Sequence, residues 1–306
     1  MFQLLSITWN VNPVICQLGP IVLRWYSLLF VAGFPLGYWL FTKFCDKEWV
    51  DKELLEPLLY TMLICTSLGA RLGHCLFYEP QYYLSHPGEI LKVWHGGLAS
   101  HGGAIALVLG IFWYARKYGK KGGFNAMWVF ERIAITVCFA GACIRMGNLF
   151  NSEIFGGATS LPWGFKFVRS AQWVSEYGPS VFPEGGAACH PTQIYEALSY
   201  LLLGLVLLWV YFKKDKKVYQ GWIFGVFLIV LFGMRFIIEF IKNDQVDFEN
   251  GMAINMGQIL SLPFIVAGVI ILVLSYKYKV PTSLEPKPVS QKSSGQPSQT
   301  KKTKKQ

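Results

Sequence analysis

The chain has 306 residues and a formal net charge of +10, and it is 53% hydrophobic but only 15% charged. Its apolar residues fall in long blocks rather than amphipathic stripes, which excludes a soluble globular domain and indicates a polytopic helical membrane protein.

In chain order, the first element is an amino-terminal arm. The segment Phe2 to Gly19 has no basic start and is broken by Asn10, Asn12 and Pro13, so it does not read as a cleavable signal peptide. Residues 1–22 are expected to lie at the membrane interface as a short extracytoplasmic arm. Seven apolar blocks follow, at about 23–42, 54–78, 97–115, 128–148, 192–212, 220–241 and 257–276, each near or above the roughly 17 residues that a span requires. The connection 149–191 holds Trp163, Phe165, Phe167, Trp173 and many Gly and Pro. A connection of that length is functional or separately folded, so it is read as a small extracytoplasmic cap. Residues 281–306, rich in Pro, Ser, Gln and Lys, read as a disordered basic cytoplasmic tail drawn to anionic lipid. The tail lacks aromatics for base stacking, so no nucleic-acid partner is expected. The predicted fold is therefore all-α: seven transmembrane helices within residues 23–280, carrying the cap as an insertion.

The seven cysteines are scattered singly without ligand-like spacing, so neither a disulfide framework nor a metal site is predicted. Alternate connections and the tail carry nineteen Lys and Arg, among them Lys43, Lys47, Lys52, Arg116, Lys117, Lys213 and Lys214; the opposite side carries only Arg24, Lys92, Lys166, Arg169 and Lys242. The positive-inside rule then puts the amino terminus outside and the carboxyl terminus in the cytoplasm.

That topology sorts the polar residues of the spans by depth. Tyr26 begins the first span, Arg71 and Tyr78 lie late in the second, and His101 begins the third. Arg145, Asn148, Asn151 and Glu153 close the fourth, while His190, Gln193, Tyr195 and Glu196 open the fifth. Arg235 and Glu239 are late in the sixth, and Gln258 opens the seventh. All of these ends face outward, with Arg145 about 5 Å and Arg235 about 10 Å below the outer interface at 1.5 Å per residue. An arginine in hydrocarbon costs roughly 2.5 to 3.5 kcal/mol even on lenient scales, so it faces a bundle interior or an anionic ligand; a lipid phosphate fits that depth.

Plainer readings stand beside this one. Arg235 and Glu239, four apart, could neutralise each other. His101-Gly102-Gly103 could mark a close helix crossing. Glu131 and Arg132 could snorkel at the cytoplasmic end, and Trp25, Tyr26 and Trp94 could be aromatic-belt residues. The case for a site rests on Arg71, His101, Arg145 and Arg235 together, without a matching number of carboxylates.

In these residues the chain resembles the bacterial prolipoprotein diacylglyceryl transferases, from about Pro13 to Tyr276. The resemblance is carried by Arg24-Trp25-Tyr26, Ala70-Arg71-Leu72-Gly73, Gly96-Gly97-Leu98 with His101-Gly102-Gly103, Arg145 to Glu153, His190 to Glu196, Arg235 to Phe240, and Met256 to Ser261. The family pattern has Gly where this chain has Ile144 and Ser152, a change expected to alter helix packing or flexibility rather than chemistry.

The resemblance implies a multi-pass enzyme of the bacterial inner membrane. It would transfer the diacylglyceryl group of phosphatidylglycerol to the lipobox cysteine thiol of a preprolipoprotein, forming a thioether and releasing glycerol 1-phosphate. Its partners would be phosphatidylglycerol, preprolipoprotein signal peptides and membrane lipid, with no cofactor. It implies Arg145, Arg235 and His101 as catalytic residues, the arginines on the phosphate and the imidazole as base. Tyr26, Arg71, Arg145, Asn148, Asn151, Glu153 and Glu239 are the expected substrate-binding residues. A seven-span transporter would also place arginines in a cavity, but no inverted repeat is visible; a lipid-binding scaffold would need headgroup contacts without a base.

Overall fold

Each apolar block forms a helix. The computed structural model describes residues 6–19, 21–92, 97, 99–178, 186–214, 217–243 and 254–284. Among these residues the seven long helices are α1 (Trp25–Glu48), α2 (Leu55–Phe77), α4 (Ser100–Gly122), α5 (Ala126–Phe150), α7 (Thr192–Lys213), α8 (Trp222–Ile238) and α9 (Met256–Tyr278). Short helices α3 (Pro80–Ser85) and α6 (Ala171–Glu176) lie in the connections. Five long helices, α1, α5, α7, α9 and α8 continued through a tight turn to Ile241, are long and apolar enough to cross a membrane. α2 and α4 match them at 23 residues each, but carry Glu56 and Arg71, and Arg116 to Lys121, respectively.

Local signals set the ends. The Asn125 side chain accepts from the Trp128 amide at the start of α5, and Asn255 and Gln258 form a reciprocal capping box at the start of α9. Gly123, with φ of 78°, ends α4 in the left-handed conformation that glycine adopts without penalty.

α5 is the central helix and touches α1, α4, α7 and α8, while α2 pairs with α4 and α8 with α9. At the α2–α4 crossing a Cβ on Gly102 would stand 2.3 Å from the Gly69 carbonyl oxygen and 2.6 Å from Gly73 Cα. The His101-Gly102-Gly103 glycines thus do make a close crossing, as the plainer reading holds. Phe44, Val129, Ile135, Cys138, Leu207 and Ile223 are buried in the core between the helices.

The end of the bundle where α5 begins holds a buried ion network, which corrects the snorkelling reading of Glu131 and Arg132. Both are 0% exposed. The Arg132 guanidinium donates to Glu48, to Glu131 (3.0 Å) and to the Thr282 carbonyl (2.9 Å), between the rings of Trp128 and Tyr211. Trp128, Tyr211 and the Leu284 amide complete Glu48, while Thr282 and the Gly221 amide complete Glu131. Every charge is partnered, so none needs to reach water. The same contacts correct the expected start of the tail: residues 281–284 form an ordered strap, with a bridge between Tyr219 and Pro281 and with Thr282 fully buried. The rest of the expected tail, 285–306, lies outside the described residues, as do residues 1–5, Trp94, Gly96 and Leu98.

At the other end, the connection after α5 has an apolar core of its own, built from Phe155, Phe165, Phe167, Trp173 and Cys189 against Leu149. The amino-terminal arm is stitched to it. β1 (Ile7–Thr8) pairs in parallel with β4 (Phe165–Lys166), and Trp9 donates to the Leu149 carbonyl at 2.9 Å. The arm continues as a hairpin of β2 (Val14–Leu18) and β3 (Ile21–Arg24), which leads into α1.

Candidate active site

The site is built where α5 ends. Arg145 and Asn148 are three residues apart on one helical face, and the guanidinium Nη1 donates to Asn148 Oδ1 at 3.2 Å. Beyond the helix, Ser152 and Ile154 take positive φ values of 56° and 61°, and this doubles the chain back. Glu153 thereby returns beneath the helix end, where its Oε1 accepts from Asn148 (2.8 Å) and Asn151 (3.2 Å). The start of α7 closes this loop from the side, with Gln193 donating to the Glu153 carbonyl and Thr192 to the Ile154 carbonyl. Tyr26 lies against the same helix end: a Cβ on Gly147 would stand 2.9 Å from its ring.

α7 and α8 supply the second half. Glu196 is fully buried, with Oε2 2.7 Å from Arg145 Nε and Oε1 3.6 Å from Lys242 Nζ. Lys242 also stands 3.4 Å from Glu239 Oε2. Tyr200 of α7 lies beside Arg145 and within electrostatic reach of Arg235. Against Glu239 the chain is glycine by necessity, since a Cβ on Gly257 would meet the carboxylate at 2.4 Å. Gln258 helps to cap α9 beside it.

Several expectations change. Arg235 and Glu239 form no ion pair; Glu239 is taken by Lys242 instead. Among the described residues Arg71 makes its hydrogen bonds away from this cluster. Its guanidinium donates to the carbonyls of Ile90 (3.1 Å), Glu89 (2.6 Å) and Gly97 (3.4 Å) and lies over the Tyr83 ring, so it clamps the α2–α4 connection. His101 is exposed at the start of α4, without a hydrogen bond to the Arg145 cluster among the described residues. The count of charges also shifts, because Glu196 pairs with both Arg145 and Lys242, Glu239 pairs with Lys242, and Glu153 lies against Asn148. Sequence reasoning missed Lys242 as a member of the site, having counted it only toward orientation. The available signal was its position three residues after Glu239.

Next to the polar cluster lies an apolar cavity of about 250 Å³ between α1, α2, α4 and α5. Phe30, Gly37, Phe41, Leu58, Thr136 and Ile144 are among its walls, and Ile144 precedes Arg145 directly. Over the site, His190 and Trp163 both reach the Tyr195 hydroxyl, at 3.4 and 3.0 Å, and burial holds the His190 imidazole below the usual histidine range. Among the described residues no group of three His, Cys, Asp or Glu stands close enough to hold a metal ion.

The arrangement thus offers a guanidinium, amides and a tyrosine at the end of α5, one residue beyond a wall of an apolar chamber, a setting for an amphiphile with an anionic head. Residues 13–274 match the family described as prolipoprotein diacylglyceryl transferase. The chain belongs to that family. It is 42% identical over 284 residues to the phosphatidylglycerol–prolipoprotein diacylglyceryl transferase of Porphyromonas gingivalis, which covers 91% of this chain and 98% of the relative. The transferase of the same name from Tolumonas auensis is 43% identical over 271 residues, 89% of this chain and 98% of the relative. That from Chloroherpeton thalassium is 39% identical over 271 residues, 89% of this chain and 95% of the relative. The family thus agrees with the resemblance read from Arg145 to Glu153 and its companion motifs.

Proposed function

We propose that this chain is a phosphatidylglycerol–prolipoprotein diacylglyceryl transferase acting at the Arg145–Glu153 site. The observation that supports the reading is that Arg145, held by Glu196 through Nε and by Asn148 through Nη1, directly follows Ile144, a wall residue of the apolar chamber. One acyl chain of phosphatidylglycerol would enter the chamber past Ile144, with the phosphate left between Arg145 and Arg235.

The sulfur of the lipobox cysteine, as thiolate, attacks the glyceryl carbon that carries the phosphate ester. A carbon–sulfur bond forms, the carbon–oxygen bond to phosphate breaks, and the electron pair leaves on glycerol 1-phosphate. The leaving phosphate gains negative charge, which fixed guanidiniums stabilise best where water is scarce. The thiol proton goes to a base, and His101 is the proposed acceptor because an imidazole titrates in the useful range. Asn148, Asn151, Tyr26 and Glu153 shape the polar wall, while Arg71 supports it indirectly by fixing the connection before His101.

The same reading places the protein in the bacterial inner membrane. α2 and α4 complete seven spans, the amino terminus and the cap of residues 149–191 face outward, and the carboxyl terminus lies in the cytoplasm, as the positive-inside distribution supports. Arg145→Ala and Arg235→Ala should each abolish turnover in folded protein, and lysine should rescue poorly because it lacks the bidentate fork. Near-wild-type turnover in either alanine variant would reject the phosphate role.

A further inference from the structure

Lys242 is a buried lysine that the mechanism above does not use. Its side chain is 1% exposed, and its Nζ reaches Glu196 and Glu239 at 3.6 and 3.4 Å. Three features of the backbone set its position. The tight turn Glu239–Ile241 ends α8, and in such a turn side chains three residues apart eclipse, which lays Lys242 over Glu239. The Gly157 amide donates to the Ile241 carbonyl at 2.9 Å, and Gly156 bridges Lys242 in antiparallel fashion. Only glycine allows that approach, since a Cβ on Gly156 would stand 2.3 Å from the Ile241 oxygen. Burying an ammonium is costly unless it is paired, so the lysine depends on these two carboxylates and they on it.

The pairing decides what happens at Arg235. Glu239 follows Arg235 by four residues, the spacing at which helical side chains pair. Yet among the described residues Arg235 has no ion pair and no side-chain hydrogen bond, while Glu239 is engaged by Lys242. Glu196 is shared between Arg145 and Lys242.

We infer that Lys242 is a positioning residue: by engaging Glu239 and Glu196 it keeps Glu239 off Arg235, leaving that guanidinium's N–H groups for the phosphate of the lipid substrate. This rests on the phosphate site proposed above.

The test compares wild type, Lys242→Met, Lys242→Arg and the double variant Lys242→Met with Glu239→Gln, each checked for folding. The readouts are KM and kcat for phosphatidylglycerol in detergent, together with equilibrium binding of phosphatidylglycerol, which needs no turnover. In Lys242→Met the released Glu239 should pair with Arg235 and compete with phosphate, raising both KM and the dissociation constant Kd by about tenfold or more, the worth of a charge-assisted hydrogen bond, with a smaller effect on kcat. Removing the competing charge in the double variant should lower both constants again relative to the single variant, and arginine should retain most of the affinity. An unchanged constant in Lys242→Met overturns the inference, as does a folded double variant that binds as weakly as the single one. If the single variant does not fold, the double variant decides alone, because removing both partners of a buried pair is close to neutral for stability. A wild-type protein that shows this binding pattern but transfers nothing would sink the transferase reading and leave the inference standing.

Discussion

Ser152 stands where the family pattern has glycine, and the structure turns that difference into a stability prediction. The residue has φ of 56°, is 2% exposed, and its hydroxyl has no hydrogen-bond partner among the described residues. A side chain in the left-handed region costs about 1–2 kcal/mol, and a buried hydroxyl left unsatisfied costs about 1–3 kcal/mol. Glycine removes both, at an expense of about 0.4–1 kcal/mol in added freedom of the unfolded chain. Ser152→Gly should therefore stabilise by roughly 1–4 kcal/mol, whereas Ser152→Ala relieves only the hydroxyl and should fall about 1 kcal/mol short of glycine. Unfolding in mixed micelles, followed by tryptophan fluorescence, measures both. An alanine variant less stable than wild type would mean that the hydroxyl has a partner, and a glycine variant no better than alanine would mean that the backbone there is unstrained.

Truncation after residue 285 should leave stability and turnover in detergent unchanged, whereas truncation after residue 278 strips Thr282 and Leu284 from the Glu48–Glu131–Arg132 network; by analogy with broken buried ion pairs this should cost about 3–5 kcal/mol. Equal unfolding midpoints for the two truncations would show that the strap is not structural. Cys16 is exposed on β2, so a membrane-impermeant maleimide should label it in intact cells; labelling only in inverted vesicles would reverse the orientation. Cys189, whose thiol burial pushes up to about 12, should resist the reagent until the protein is denatured. If His101 accepts the thiol proton, His101→Gln should lose most of its turnover at neutral pH, bind phosphatidylglycerol normally, and regain part of the rate as pH rises and free thiolate accumulates. Full activity in that variant would leave electrostatic activation by the arginines as the source of the thiolate.

The features legible in the sequence were those carried by position along a helix. Apolar block length marked the seven helices, and the run from Arg145 to Glu153 is close enough in sequence that its side chains had to share one helix end. Depth along the membrane normal, however, does not fix the direction around the bundle. Arg71 and His101 are expected at the depth of Arg145, yet they sit on the α2–α4 pair, and Arg71 turns to carbonyls there. The ion network was hidden for a different reason. Its partners are far apart in the chain, Glu48 and Arg132 by 84 residues and Glu48 and Leu284 by 236, so each looked like a lone polar residue near a helix end. Lys242 was hidden because its charge served the orientation argument equally well whether exposed or buried.

The central claim is covalent transfer. Purified protein should be incubated with phosphatidylglycerol carrying deuterated acyl chains and a peptide bearing a lipobox cysteine, and the peptide then weighed by mass spectrometry. The peptide should gain the mass of one deuterated diacylglyceryl group on the cysteine, stable to hydroxylamine as a thioether is, with one glycerol 1-phosphate released per modified peptide. Lipid binding or movement with no gain in peptide mass would contradict it and point to a carrier or a scaffold.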